Sequence, residues 1–210
     1  YQRGKYDWAI ADFGKPGLGK SGAVHASVQA EVVKERVKKM RGKVYSVYEL
    51  AFPEIIGIDK SVYPERMWAE VYENNKKGIV EIDLTIWNKP AVRLPEAYWL
   101  SFDVDNILSI VAEKIGQRVD VFDVVERGNR QMHGIDRYID LITSAGTLRI
   151  LSETAFLVNI GEADGLNYSI DYPDKQGGIH FNLNNNLWGT NFSMWNEGSL
   201  TYHFVLEWID

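Results

Sequence analysis

Twice in this chain apolar and polar residues trade places at nearly every position over a long run. Val80, Ile82, Leu84 and Ile86 alternate with Glu81, Asp83, Thr85 and Trp87, and Leu200, Tyr202, Phe204, Leu206 and Trp208 alternate with Thr201, His203, Val205 and Glu207. A period of two puts each set on its own face of a pleated strand and is incompatible with the 3.6-residue repeat of a helix. A third run, Val24, Ala26, Val28, Ala30 and Val32 against His25, Ser27, Gln29 and Glu31, predicts a half-buried strand over 24–32. Shorter candidates lie at 5–13, 44–50, 66–73, 97–103, 119–125, 132–143, 147–153 and 155–160, and the Asn-rich stretch 74–78 before Ile79 reads as a hairpin turn. The basic cluster 34–41 fits either a short helix or a hairpin end before Gly42, and the hairpin is preferred. Residues 105–114 fit one short helix capped by Asp105. No strand–helix–strand rhythm and no repeat is present. These spacings predict an all-β fold, an antiparallel β-sandwich of about a dozen strands in one domain over 1–210, with at most one or two short helices.

Composition limits the classes of function. The 210 residues carry a net charge of −6, which argues against a nucleic-acid partner, for which a basic stripe is expected. No apolar run is long enough for a membrane-spanning helix. With no cysteine, disulfides and thiolate chemistry are excluded.

Several motifs suggest chemistry. Gly14-Lys-Pro-Gly-Leu-Gly-Lys20-Ser21 matches the phosphate-loop pattern, but that loop must open a helix whose amides hold phosphate. Here a β-branched, alternating run follows, so a glycine turn is expected. Asp12-Phe13-Gly14 matches the magnesium triplet of kinases without any His-Arg-Asp loop to accompany it. The four histidines, His25, His133, His180 and His203, show no metal-ligand spacing. Glycoside hydrolysis needs a carboxylate pair. Glu65, Glu70, Glu81 and Asp83 lie near Tyr63, Trp68, Tyr72 and Trp87, but acids on alternating strands face water, and no pair stands out.

Residues 177–195 hold Asn182, Asn184, Asn185, Asn186 and Asn191 among Phe181, Trp188, Phe192 and Trp195. Asparagine competes for backbone groups and favours turns, so an ordered, irregular loop pinned by aromatic side chains is expected. Amides beside aromatic faces also suit a sugar, since the amides exchange hydrogen bonds with hydroxyls and the rings cover its C–H faces. The plainer alternative is a loop plug whose aromatics only pack. The segment Arg127-Gly-Asn-Arg-Gln-Met-His133 is a glycine turn with two guanidinium groups, an amide and an imidazole; Arg130 and His133 there are candidate sugar contacts.

The run His-Phe-Asn-Leu-x-Asn-Asn-x-Trp-Gly-Thr-Asn-Phe-x-Met-Trp resembles the C-terminal end of a group of large glycoside hydrolases related to the α-mannosidases of glycoside hydrolase family 38. The segments at 12–18, 94–97 and 127–133 fit the same end, so the resemblance spans most of the chain. Ser193 departs from it, standing where the pattern has proline, which leaves the loop less rigid. The resemblance implies that this is the C-terminal β-sandwich portion of a longer enzyme. It implies that catalysis and zinc reside in an upstream domain, and that this piece holds no cofactor and no catalytic residue. The implied partners are that domain and carbohydrate, with Asn184, Asn185, Asn186, Trp188 and Asn191 facing the sugar. It further implies a setting outside the cytoplasm. A purely structural domain and a self-sufficient glycosidase are the alternatives.

Overall fold

The structure, a computed structural model, describes residues 20, 22, 24–165, 169–188 and 193–210. Thirteen strands form two sheets among them. In chain order they are β1 (Glu31–Met40), β2 (Lys43–Ala51), β3 (Arg66–Asn74), β4 (Ile79–Lys89), β5 (Ala97–Phe102), β6 (Ser109–Lys114), β7 (Gln117–Asp120), β8 (Met132–Gly134), β9 (Tyr138–Ile142), β10 (Thr147–Ser152), β11 (Leu157–Ile160), β12 (Ile179–Asn185) and β13 (Gly198–Ile209). The larger sheet has nine strands in the order β1-β2-β3-β4-β13-β10-β9-β6-β7, and the smaller has four in the order β5-β12-β11-β8. Every pairing is antiparallel. Only two 3-10 turns, Lys60–Val62 and Lys175–Gly177, interrupt this all-β sandwich among the described residues. No helix there is long and apolar enough to cross a membrane.

Alternation explains how the two sheets meet. Ile82, Leu84 and Ile86 of β4 and Tyr202, Phe204 and Leu206 of β13 point to the core, as do Ile139 and Leu141 of β9 and Ile150 of β10. From the small sheet come Phe102, Val158, Ile160, Ile179 and Phe181. Phe102, Phe181 and Phe204 stack edge-to-face at centroid distances of 5.1 to 6.0 Å, tying the sheets together.

Four expectations need correction, and one open choice is decided. Residues 24–30 lie outside any strand and Val24 and Val28 are exposed, because no neighbouring strand pairs with them; β1 starts only at Glu31. The basic cluster forms most of β1 itself, and Arg41 and Gly42, both at positive φ, turn the chain into β2, so the hairpin is correct and the helix is not. Residues 105–114 are not helical. A turn through Asn106 (φ 58°) leads into β6, whose Ile110 and Ala112 are fully buried, and a second turn at Ile115–Gly116 pairs it with β7. The run 132–143 is two strands in different sheets, with buried Ile135 between them. Finally, much of the expected loop at 177–195 is β12, paired on both sides within the small sheet. Ile179, Phe181 and Leu183 supply its core face, and two ladders outweigh the poor strand propensity of asparagine. The candidate strand 5–13 and the motifs at 12–18 lie outside the described residues.

Candidate functional site

At one end of the sandwich β4 and β12 finish while β5 and β13 begin, and the asparagines gather there. Asn186, 1% exposed, donates from Nδ2 to the carbonyls of Val92 (2.6 Å) and Leu94 (3.2 Å). Its Oδ1 accepts from the Glu96 amide at 2.8 Å. Asn184 and Asn196 exchange amide hydrogen bonds, and Asn185 donates to Asn182 Oδ1 at 2.7 Å while accepting from the Leu187 amide. Lys89 is fully buried beside them. Its ammonium group donates to the carbonyls of Pro90 and Asn196, pairs with the Glu96 carboxylate and lies 5.9 Å from the Tyr98 ring centre. Burial pushes the Tyr98 phenol well above its usual range. These bonds fix the loops at this end, so the amides of Asn184, Asn185 and Asn186 are engaged first with the protein's own groups.

The aromatic residues differ from the amides. Half-buried Trp188 donates from Nε1 to the Gly165 carbonyl at 3.0 Å. Trp195 is 43% exposed, with the Arg93 guanidinium 4.7 Å above its ring. The sequence marks Trp195 as one of the aromatics of 177–195 but not as a sugar contact, and it gives no signal for Arg93. Asn191 lies outside the described residues.

Arg130 and His133 are not part of this end. His133 pairs with Val158, opposite Phe181, and Arg130 lies further on, toward the Ile179 end of β12 and away from Asn185. Arg130 donates to the Ile170 carbonyl and lies 4.7 Å over the Tyr172 ring. His133 is buried. Its Nε2 donates to the Arg130 carbonyl at 2.8 Å, and its Nδ1 accepts from Lys114 at 3.4 Å. Burial lowers its pKa to about 4, so it is neutral at pH 7. The seven expected contacts are therefore not one constellation: Asn184, Asn185, Asn186 and Trp188 come together, and Arg130 and His133 sit apart.

The register also assembles a row that sequence reading left dispersed, on the face of the large sheet turned away from the core. Trp68 pairs with Thr85 and Trp87 follows two residues on, with ring centres 6.4 Å apart. Thr85 meets Thr201 (Oγ1 to Oγ1 3.4 Å), and Asp83 accepts from His203 Nδ1 at 2.7 Å. A cavity of about 470 Å³ adjoins His203, lined by Arg137, Glu153, Phe156, Leu151 and Val205 among others. Arg137 is held in a two-point pair with Glu113, which keeps that carboxyl below its usual range.

Among the described residues no group of three His, Cys, Asp or Glu side chains is placed to hold a metal ion. Each described histidine belongs to a different setting: His25 exposed, His133 on Arg130, His180 between Ser101 and Gly177, and His203 on Asp83. No protein-family model and no curated protein matches this chain.

Proposed function

We propose that this chain is the β-sandwich portion of a mannosidase-like glycoside hydrolase, which supports the catalytic domain of the same polypeptide and contacts sugar through the segment 177–195. The observation that carries the reading is the Trp195 indole, 43% exposed and stacked under Arg93 beside a rigid amide network. An open ring next to fixed donors and acceptors meets both the apolar face and the hydroxyl rim of a pyranose. Zinc and the catalytic carboxylates belong, on this reading, to the other domain. Titration of the chain with methyl α-mannoside and mannobiose, followed by tryptophan fluorescence, tests it. Trp195→Ala and Trp188→Ala are expected to weaken binding; unchanged affinity in both contradicts the reading.

A purely structural module is the second reading, and Asn186 favours it. The three hydrogen bonds of its side chain go to backbone groups of 92–96, the work of a loop fastener.

A further inference from the structure

The outward face of the nine-stranded sheet holds a row of side chains that the core does not use. At one end Trp68 and Trp87 form an aromatic pair, with Trp87 47% exposed. Beside it Asn88 donates to Glu65 at 2.9 Å, and the Arg66 guanidinium lies 5.6 Å from the Trp68 ring centre. The hydroxyls of Thr85 and Thr201 come next, then the Asp83–His203 pair, then the cavity of about 470 Å³. Asp83 and Thr85 of β4 pair on this face with His203 and Thr201 of β13, while Trp87 lies where that ladder shifts register between Gly198 and Leu200 and pairs instead with Arg66 of β3.

The chemistry of the cavity is specific in what it admits. Phe156, 48% exposed, with Leu151 and Val205, supplies an apolar wall. His203 Nδ1 donates to the Asp83 carboxylate, which leaves the second ring nitrogen to meet a ligand hydroxyl. Glu153 adds a carboxylate acceptor. Arg137 gives two N–H groups to Glu113 and has three more to donate. Glu113 already balances Arg137, so the Glu153 carboxylate disfavours an anionic ligand. A neutral, hydroxyl-rich ring satisfies the wall, the donor and the acceptors together. The indole pair offers a second flat surface, roughly 13 Å further along β4 at the usual rise per residue. That separation calls for several sugar units in line rather than one.

We infer that this face binds an extended neutral glycan, with one sugar ring against Phe156 beside His203 and another on the Trp68–Trp87 pair. The ligand class rests on the carbohydrate reading above, but the site is separate from the 177–195 segment. The test is calorimetric titration of the full chain with neutral linear hexasaccharides (α-mannose, α-glucose and β-glucose), their monosaccharides and an acidic hexauronate. At least one neutral hexasaccharide is expected to bind about ten-fold or more tighter than its monosaccharide, and tighter than the hexauronate. Phe156→Ala and Trp87→Ala are each expected to weaken it about ten-fold, while Trp87→Phe keeps part of the affinity and guards against a folding defect. Ile56→Ser, on an exposed turn residue, serves as the unaffected control. Absence of binding by every neutral hexasaccharide overturns the inference, as does binding that neither Phe156→Ala nor Trp87→Ala alters; a face that docks only protein gives that result. Weakening by Trp195→Ala with Phe156→Ala and Trp87→Ala silent overturns this inference and leaves the 177–195 reading standing. The reverse pattern separates them the other way.

Discussion

Asn186 shows how a residue type selected for ligand chemistry becomes part of the framework. Its amide bridges the carbonyls of Val92 and Leu94 and the amide of Glu96, three backbone groups of a proline-bearing loop that forms no ladder bonds of its own. Asn186→Ala strands those groups under a buried side chain. The expected loss is about 2–4 kcal/mol of unfolding free energy, measured by urea denaturation. His133 makes a pH-dependent contribution. Its folded pKa near 4 lies below the ordinary 6.5, so between those values the unfolded chain binds a proton that the folded chain does not. Its contribution is therefore fully present above pH 6.5 and declines as pH falls toward 4. Between about pH 7 and about pH 4.5, His133→Gln is expected to lose roughly 2 kcal/mol less stability than the parent chain, read from denaturation curves at the two pH values.

At the scale of elements, β4 and β13 were legible because a long alternating run has one reading, and the hairpin turns were legible from asparagine and glycine. β12 was not. Its asparagines argue for a turn when taken singly, and only the ladders to β5 and β11 make them strand residues. The supposed helix at 105–114 failed for a related reason: ten residues of mixed polarity do not distinguish two periods until Ile110 and Ala112 meet a core. The β9–β10 turn offers a direct check on strand placement. Gly146 sits at φ 147°, and a Cβ there would lie 2.8 Å from Trp208 Cζ2 and 2.9 Å from the Ile209 carbonyl oxygen. Gly146→Ala is expected to destabilise the chain by about 2 kcal/mol, seen as a lower thermal midpoint. A hairpin end free of β13 would show only the smaller cost of the backbone strain at this positive φ.

For the molecule as a whole, the sandwich class was readable from strand spacing, but the division into nine and four strands was not. Division depends on partners far apart in sequence: β4 pairs with β13, and β5 with β12. The same holds for the sites. The asparagine-rich end is visible as a composition, whereas the Asp83–His203 pair joins positions 120 apart and appears only once the register is known. The Phe102, Phe181 and Phe204 cluster makes the two sheets one folding unit. Phe181→Ala is expected to cost about 3–5 kcal/mol while leaving a single transition by far- and near-ultraviolet circular dichroism. Two separated transitions would mean that the sheets melt independently. The central claim, that this sandwich meets carbohydrate, is tested most directly by following the indole N–H resonances of its seven tryptophans by NMR during titration with a neutral hexasaccharide. The signals of Trp87 and Trp195 are expected to move while that of Trp208, packed against Gly146 at the far end of β13, stays in place; if neither signal moves with any neutral hexasaccharide, the claim is wrong.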